Sequence, residues 1–138
     1  MASEKGQSLV EFSISFLFLM FLLGGAVEFG IIFFQYVQLK DAAQEGALYG
    51  SLYPYDTVSI EQRVRGSSTN PINLTGEDVE VFISYPDGGS LCEGNGVKVS
   101  VVYPHKIFMP FIPQMFGSDT VLLRGEVVDT ILNQDCNT

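Results

Sequence analysis

The chain has 138 residues, a formal net charge of −9 and two cysteines, with a mass of 15.2 kDa and a mean hydropathy of +0.25. That length carries one domain at most. Seven Lys and Arg, scattered singly, leave no basic stripe for a phosphate backbone and argue against nucleic acid as a partner.

Residues Met1 to Gly6 are short and polar, and Lys5 is the only basic side chain before an apolar run. The run, Phe12 to Phe34, carries a single ionisable side chain, Glu28. A bilayer-crossing helix needs roughly 20 mostly apolar residues, so the run is long enough. Its membrane or filament-core candidates are Phe12, Ile14, Phe16, Leu17, Phe18, Leu19, Met20, Phe21, Leu22 and Leu23. A secretory signal would have a shorter apolar core and a small-residue cleavage site at its far end. Here the helical pattern continues through Gln35, Gln38 and Lys40, so a cut near Gly24 to Ala26 is the weaker reading.

One helix is expected from Gln7 to about Leu52, about 70 Å long at the standard rise. Gly24, Gly25 and Gly30 weaken its apolar half and allow local unwinding near Gly24. In its second half Ala42, Ala43, Gly46, Ala47 and Gly50 share a face of small side chains, which lets another backbone approach closely. That neighbour is either the protein's own sheet or the helix of another copy.

Pro54 stops the helix, and Tyr53 to Thr57 reads as a loop. Ser59 is a candidate cap for a short helix over Ile60 to Arg65, followed by a polar linker from Gly66 to Pro71. The period then changes to two. Glu77 to Tyr85 alternates as a half-buried strand, Val97 to Tyr103 as a second, and Thr120 to Leu132 is continuous enough for a central third. The Pro-broken segment between Pro104 and Gly117 suits a loop or single turn over the sheet. Its Phe108, Met109, Phe111, Ile112 and Phe116 either cover the core or form an exposed binding patch. The fold class is therefore α+β: a long N-terminal apolar helix packed on a small antiparallel sheet of about three strands. The divisions are 1–6, 7–53 and 54–138.

From Pro54 onward eleven Asp and Glu face five Lys and Arg, a side-chain charge of −6 that favours solubility. Cys92 and Cys136 both lie in this part, and an even count outside the cytoplasm permits a disulfide. On the chain-entropy model such a loop closure is worth about 4 kcal/mol at most. His105 is the only histidine and has no cluster at metal spacing, so no metal or other cofactor is expected. Asn73, Leu74 and Thr75 form a glycosylation sequon that matches by chance too often to carry weight. No nucleophile-and-base motif and no phosphate loop is present, and enzyme activity is not expected.

The sharpest signal is Gly6, Gln7, Ser8, Leu9, Val10, Glu11 and Phe12: a glycine, then a glutamate five residues later at the threshold of the apolar run. An acidic residue at a bilayer centre costs about 2.5 to 3.5 kcal/mol, and less at the interface, so Glu11 asks for a partner. A cut after Gly6 would give Gln7 a new α-ammonium group, which the Glu11 of a neighbouring subunit could neutralise. The bland alternative is that Glu11 marks the membrane edge. For Glu28 two readings stand open: a contact with a neighbouring subunit or machinery, or snorkelling toward the outer interface.

This pattern resembles a prepilin processing site. Together with Glu28, Phe29, Gly30, Ala42, Ala43, Glu45, Gly46 and Ala47 it resembles the TadE-like pilins of the tight-adherence (Tad) pilus. The resemblance runs over residues 6 to 50. It departs at Leu48, where the family usually carries a basic residue. It implies that a membrane prepilin peptidase cuts between Gly6 and Gln7, that Glu11 is the assembly carboxylate, and that an ATP-driven membrane machine assembles the subunits. The implied partners are other copies or other pilins, the peptidase, the assembly machinery and, before assembly, the lipid bilayer. The precursor would be a single-pass inner-membrane protein with its C-terminal domain outside, and the product a cell-surface filament. The alternative is an uncleaved single-span anchor presenting an extracytoplasmic binding domain.

Overall fold

The computed structural model describes residues 4–110 and 112–133 of the chain. Its first element, α1 (Glu4–Leu52), is a helix of 49 residues, about 73 Å at the standard rise. It contains Gly24, Gly25 and Gly30 without a break, so the local unwinding that these glycines allow does not occur. Both glycine and its neighbours keep their hydrogen bonds inside a long helix, where a propensity cost of up to about 1 kcal/mol per glycine is spread over many turns.

Pro54 ends the run of helix, and α2 (Thr57–Gly66) follows after a short turn. Its N-cap is Asp56 rather than Ser59: the Asp56 carboxylate accepts the Ser59 backbone N–H at 3.0 Å. The Ser59 side chain and that backbone bond hold the carboxyl below its ordinary range. An aspartate three residues upstream of the amide outcompetes a serine one turn too late to face the free N–H groups. Arg65, near the end of α2, donates to the carbonyls of Leu74, Gly76 and Val79 and so ties down the polar connection beyond it. Ile72 and Leu74 in that connection are fully buried.

The remaining elements are β1 (Glu80–Ser84), β2 (Gly96–Lys106), α3 (Ile112–Phe116) and β3 (Thr120–Thr130). The three strands form one antiparallel sheet in the order β1-β2-β3. The apolar helix followed by a small sheet is the α+β arrangement expected. The strand expected in the centre, β3, lies at an edge. Its apolar continuity comes from residues such as Leu122 and Val128 that stay exposed. The centre goes to β2, which pairs on both sides because hairpin connections place consecutive strands side by side.

The core lies between the second half of α1 and one face of the sheet, with α2 closing a third side. Leu39, Ala43, Ala47, Ile60, Val64, Val99 and Val101 are all inaccessible to solvent. On the sheet's other face, Lys98 meets Glu126 at 3.1 Å and Arg124 donates to Ser100 at 3.3 Å, a polar surface suited to water. Tyr85 donates its hydroxyl to the Pro54 carbonyl, and burial raises its pKa.

Candidate functional site

Two surfaces of α1 differ completely. From Leu9 to Val27 the helix is exposed or nearly so, including Phe12, Ile14 and every residue from Phe16 to Leu23. This part is long and apolar enough to cross a membrane. Beyond it, Ala42, Ala43, Gly46, Ala47 and Gly50 are buried against the chain's own domain. A Cβ on Gly46 would come within 2.4 Å of Val64 Cγ2, and one on Gly50 within 3.1 Å of both Ile60 and Val97. Between the two questions left by the sequence, the protein's own sheet and α2 occupy the small-residue face.

Where the two surfaces meet, the structure brings together residues that the sequence left apart. Glu28 is 5% exposed and His105 is 6% exposed. Glu28 Oε1 lies 2.8 Å from His105 Nε2, joining residues 77 positions apart. The Phe108 backbone N–H donates to both carboxylate oxygens, each at 3.2 Å. Neither expectation for Glu28 describes this: it does not snorkel and does not face outward to a neighbour. Burying a carboxylate is tolerable only with donors around it, and the end of β2 supplies them.

The signal for this pair was present in two periodicities. Glu28 precedes Ile32, Gln35, Leu39, Ala42, Gly46 and Gly50 at steps of three and four, which sets it on the helix's packing face. His105 follows Val97, Val99, Val101 and Tyr103 at steps of two, which sets it on the same face of β2. An ionisable group on each buried face, both at the end nearest the apolar stem, points to a pairing.

Past His105 the chain turns along the helix. Met109 is buried, and a Cβ on Gly24 would meet its Cε at 2.9 Å. Pro110 lies with Met109 in a groove whose helix wall runs from Ile14 to Phe21. Phe108, by contrast, is 88% exposed. Met109 thus packs on the apolar part of α1 and Phe108 stands exposed. Phe111 lies outside the described residues.

Gly6, Gln7 and Glu11 occupy the exposed first turns of α1. Among the described residues the Glu11 side chain makes no hydrogen bond or ion pair. Met1, Ala2 and Ser3 of the expected leader lie outside the described residues. Cys92 sits in the turn before β2, with the Ser90 hydroxyl 2.9 Å from its sulfur. Its candidate partner Cys136 lies outside the described residues.

These features define an α+β protein in which one continuous helix serves both as apolar stem and as one wall of the domain. A family model described as TadE-like protein matches residues 6–48, and over that segment the chain is similar to that family. That family is structural and pilus-related. The matched segment begins at Gly6 and ends within the small-residue face. No curated protein and no solved structure matches the chain.

Proposed function

We propose that the chain is a prepilin-type subunit, major or minor, of a Tad pilus. A prepilin peptidase cuts it after Gly6, the bilayer holds it by the apolar part of α1, and the same surface then packs against other pilins. The observation that carries this reading is the TadE-like segment opening at Gly6, with Glu11 five residues on and no ion pair to it among the described residues. A carboxylate without a partner at the edge of an apolar surface suits an amine supplied by another copy. The precursor would sit in the inner membrane with the domain outside, and the product at the cell surface. The role is structural, with no catalytic residue and no cofactor.

The test is the mass of the native protein. Its first residue is expected to be Gln7, Gly6→Arg is expected to leave the precursor uncut, and Glu11→Ala is expected to permit cutting while filaments are lost. A native chain that keeps Gly6 would instead support the uncleaved anchor. Normal filaments from Glu11→Ala would remove the assembly role of that carboxylate.

A Cys92–Cys136 bridge belongs to the same reading, since an exported domain meets oxidising conditions. Its support is local: Ile131 exchanges backbone hydrogen bonds with Gly94 and Asn95, bringing the chain after β3 alongside the Cys92 turn. Thiol alkylation without reductant is expected to add no mass to the native protein, and reduction first is expected to admit two labels. Two labels without reductant would dispose of the bridge.

A further inference from the structure

We propose that the tip of the β2–β3 hairpin is a second membrane contact, inserted beside α1 into the acyl chains of the leaflet on the domain's side, with Phe108 as its lipid-facing side chain. The inference rests on the membrane part of the reading above, not on cleavage or filament formation.

The geometry follows from helix register. Any stretch of roughly 20 residues drawn from the exposed apolar run to fill a bilayer includes Leu17 to Gly24. Met109 packs on Gly24, and Pro110 borders the groove beside Leu17, Phe18 and Phe21. The tip thus lies alongside helix residues that occupy hydrocarbon whenever the helix spans. It cannot remain in water while its packing partners are in lipid.

Its chemistry fits the location. Between Lys106 and Asp119 the sequence carries no ionisable side chain, and both of these flanking residues are exposed at the hairpin's neck. Backbone donors in hydrocarbon need partners within the protein. Ile107 N–H donates to the Asp119 carbonyl at 2.8 Å, Phe108 N–H to the Glu28 carboxylate, and Gly117 N–H to Pro113 at 2.8 Å. Pro110 and Pro113 have no N–H to satisfy. The Glu28–His105 pair accordingly positions the tip at the point where it leaves the sheet. An 88% exposed Phe108 is costly in water and unremarkable against acyl chains.

The sequence contains no tryptophan, so a single introduced one reports its own surroundings. Full-length Phe108→Trp, Phe18→Trp and Val58→Trp proteins are reconstituted separately into phosphatidylcholine vesicles with brominated or unbrominated acyl chains. The tip reporter is expected to show blue-shifted emission and to lose intensity to the bromines about as much as the stem reporter at 18. The α2 reporter at 58 is expected to lose none. If the reporter at 108 emits like that at 58 while that at 18 is quenched, the tip is in water and the inference falls, with the spanning helix intact. Blue-shifted but unquenched emission at 108 would assign the tip to a protein surface, including another copy, and equally overturn it. If the reporter at 18 also escapes quenching, α1 is not in the bilayer and both readings fail.

Discussion

Glu28→Ala is expected to cost the domain about 3–5 kcal/mol, because removing one member of a buried ionisable pair leaves the other buried without a partner. Here the loss is compounded, since the same carboxylate accepts the Phe108 N–H and the substitution strands two donors at once. Against a typical total of about 5–15 kcal/mol that is a large fraction. Chemical unfolding in detergent, followed by far-ultraviolet circular dichroism, measures it. Glu28→Gln keeps an oxygen for Phe108 N–H and is expected to lose about 1–3 kcal/mol. The double variant Glu28→Leu with His105→Phe replaces the pair by apolar groups of similar size and is expected to recover much of the loss, because burying two ionisable groups brings little net stability by itself. A single Glu28→Ala variant unfolding within about 0.5 kcal/mol of the parent, the range of an ordinary surface change, would mean that the pair is not buried in the protein.

The contrast between the two halves of α1 explains why much of the fold was legible. Phe16 to Leu23 are apolar all round the helix, a pattern that belongs to a membrane span or a fully buried core helix, and it sets the stem apart from the domain in the sequence. Val97, Val99 and Val101 alternate cleanly because one face of β2 meets α1 and the other meets a polar surface. Asp56 displaced Ser59 as the cap, a choice between neighbouring oxygens that depends on where the first helical turn begins, which is a fine detail of the backbone. Strand order failed for a different reason. Apolar residues on β3 argue for a central position, yet Leu122 is 69% exposed, and hydropathy does not distinguish burial in a core from exposure at a sheet edge.

The site was the least legible part because it is a contact between distant segments. Glu28 taken alone resembles any carboxylate near a membrane boundary, and His105 alone resembles an isolated histidine. Only the phase of each in its own element places them on facing surfaces, and that phase has meaning only once α1 is known to pack on the sheet rather than on another copy. The small residues left exactly this choice open. With Gly46 and Gly50 against Val64, Ile60 and Val97, the helix face is satisfied within the chain, and surface for neighbours is concentrated on the apolar stem.

Gly125 sets how closely stem and sheet can be joined, and Gly125→Val is expected to be the most disruptive single change in β3. The position faces α1 between Leu123 and Val127, and a Cβ there would lie 2.5 Å from the Leu39 carbonyl carbon and 2.7 Å from the Lys40 nitrogen. These are backbone atoms of a helix and cannot turn aside as a side chain can. Glycine inside a strand weakens it, and its presence is explained by this close approach. Overpacking a well-filled core costs about 1–3 kcal/mol, and a backbone obstacle puts Gly125→Ala toward the upper end, with valine beyond it. Gly30 provides the control: a Cβ there meets nothing within 4 Å, so Gly30→Ala is expected to be neutral or stabilising by up to about 1 kcal/mol. Limited proteolysis of membrane-reconstituted protein reads the difference, with Gly125→Val cleaved rapidly within the sheet and Gly30→Ala as resistant as the parent. Equal resistance of all three would show that α1 does not rest on β3 at this distance. The register that brings Glu28 to His105 would then lose its support, because both contacts depend on the same seating of the helix across the sheet.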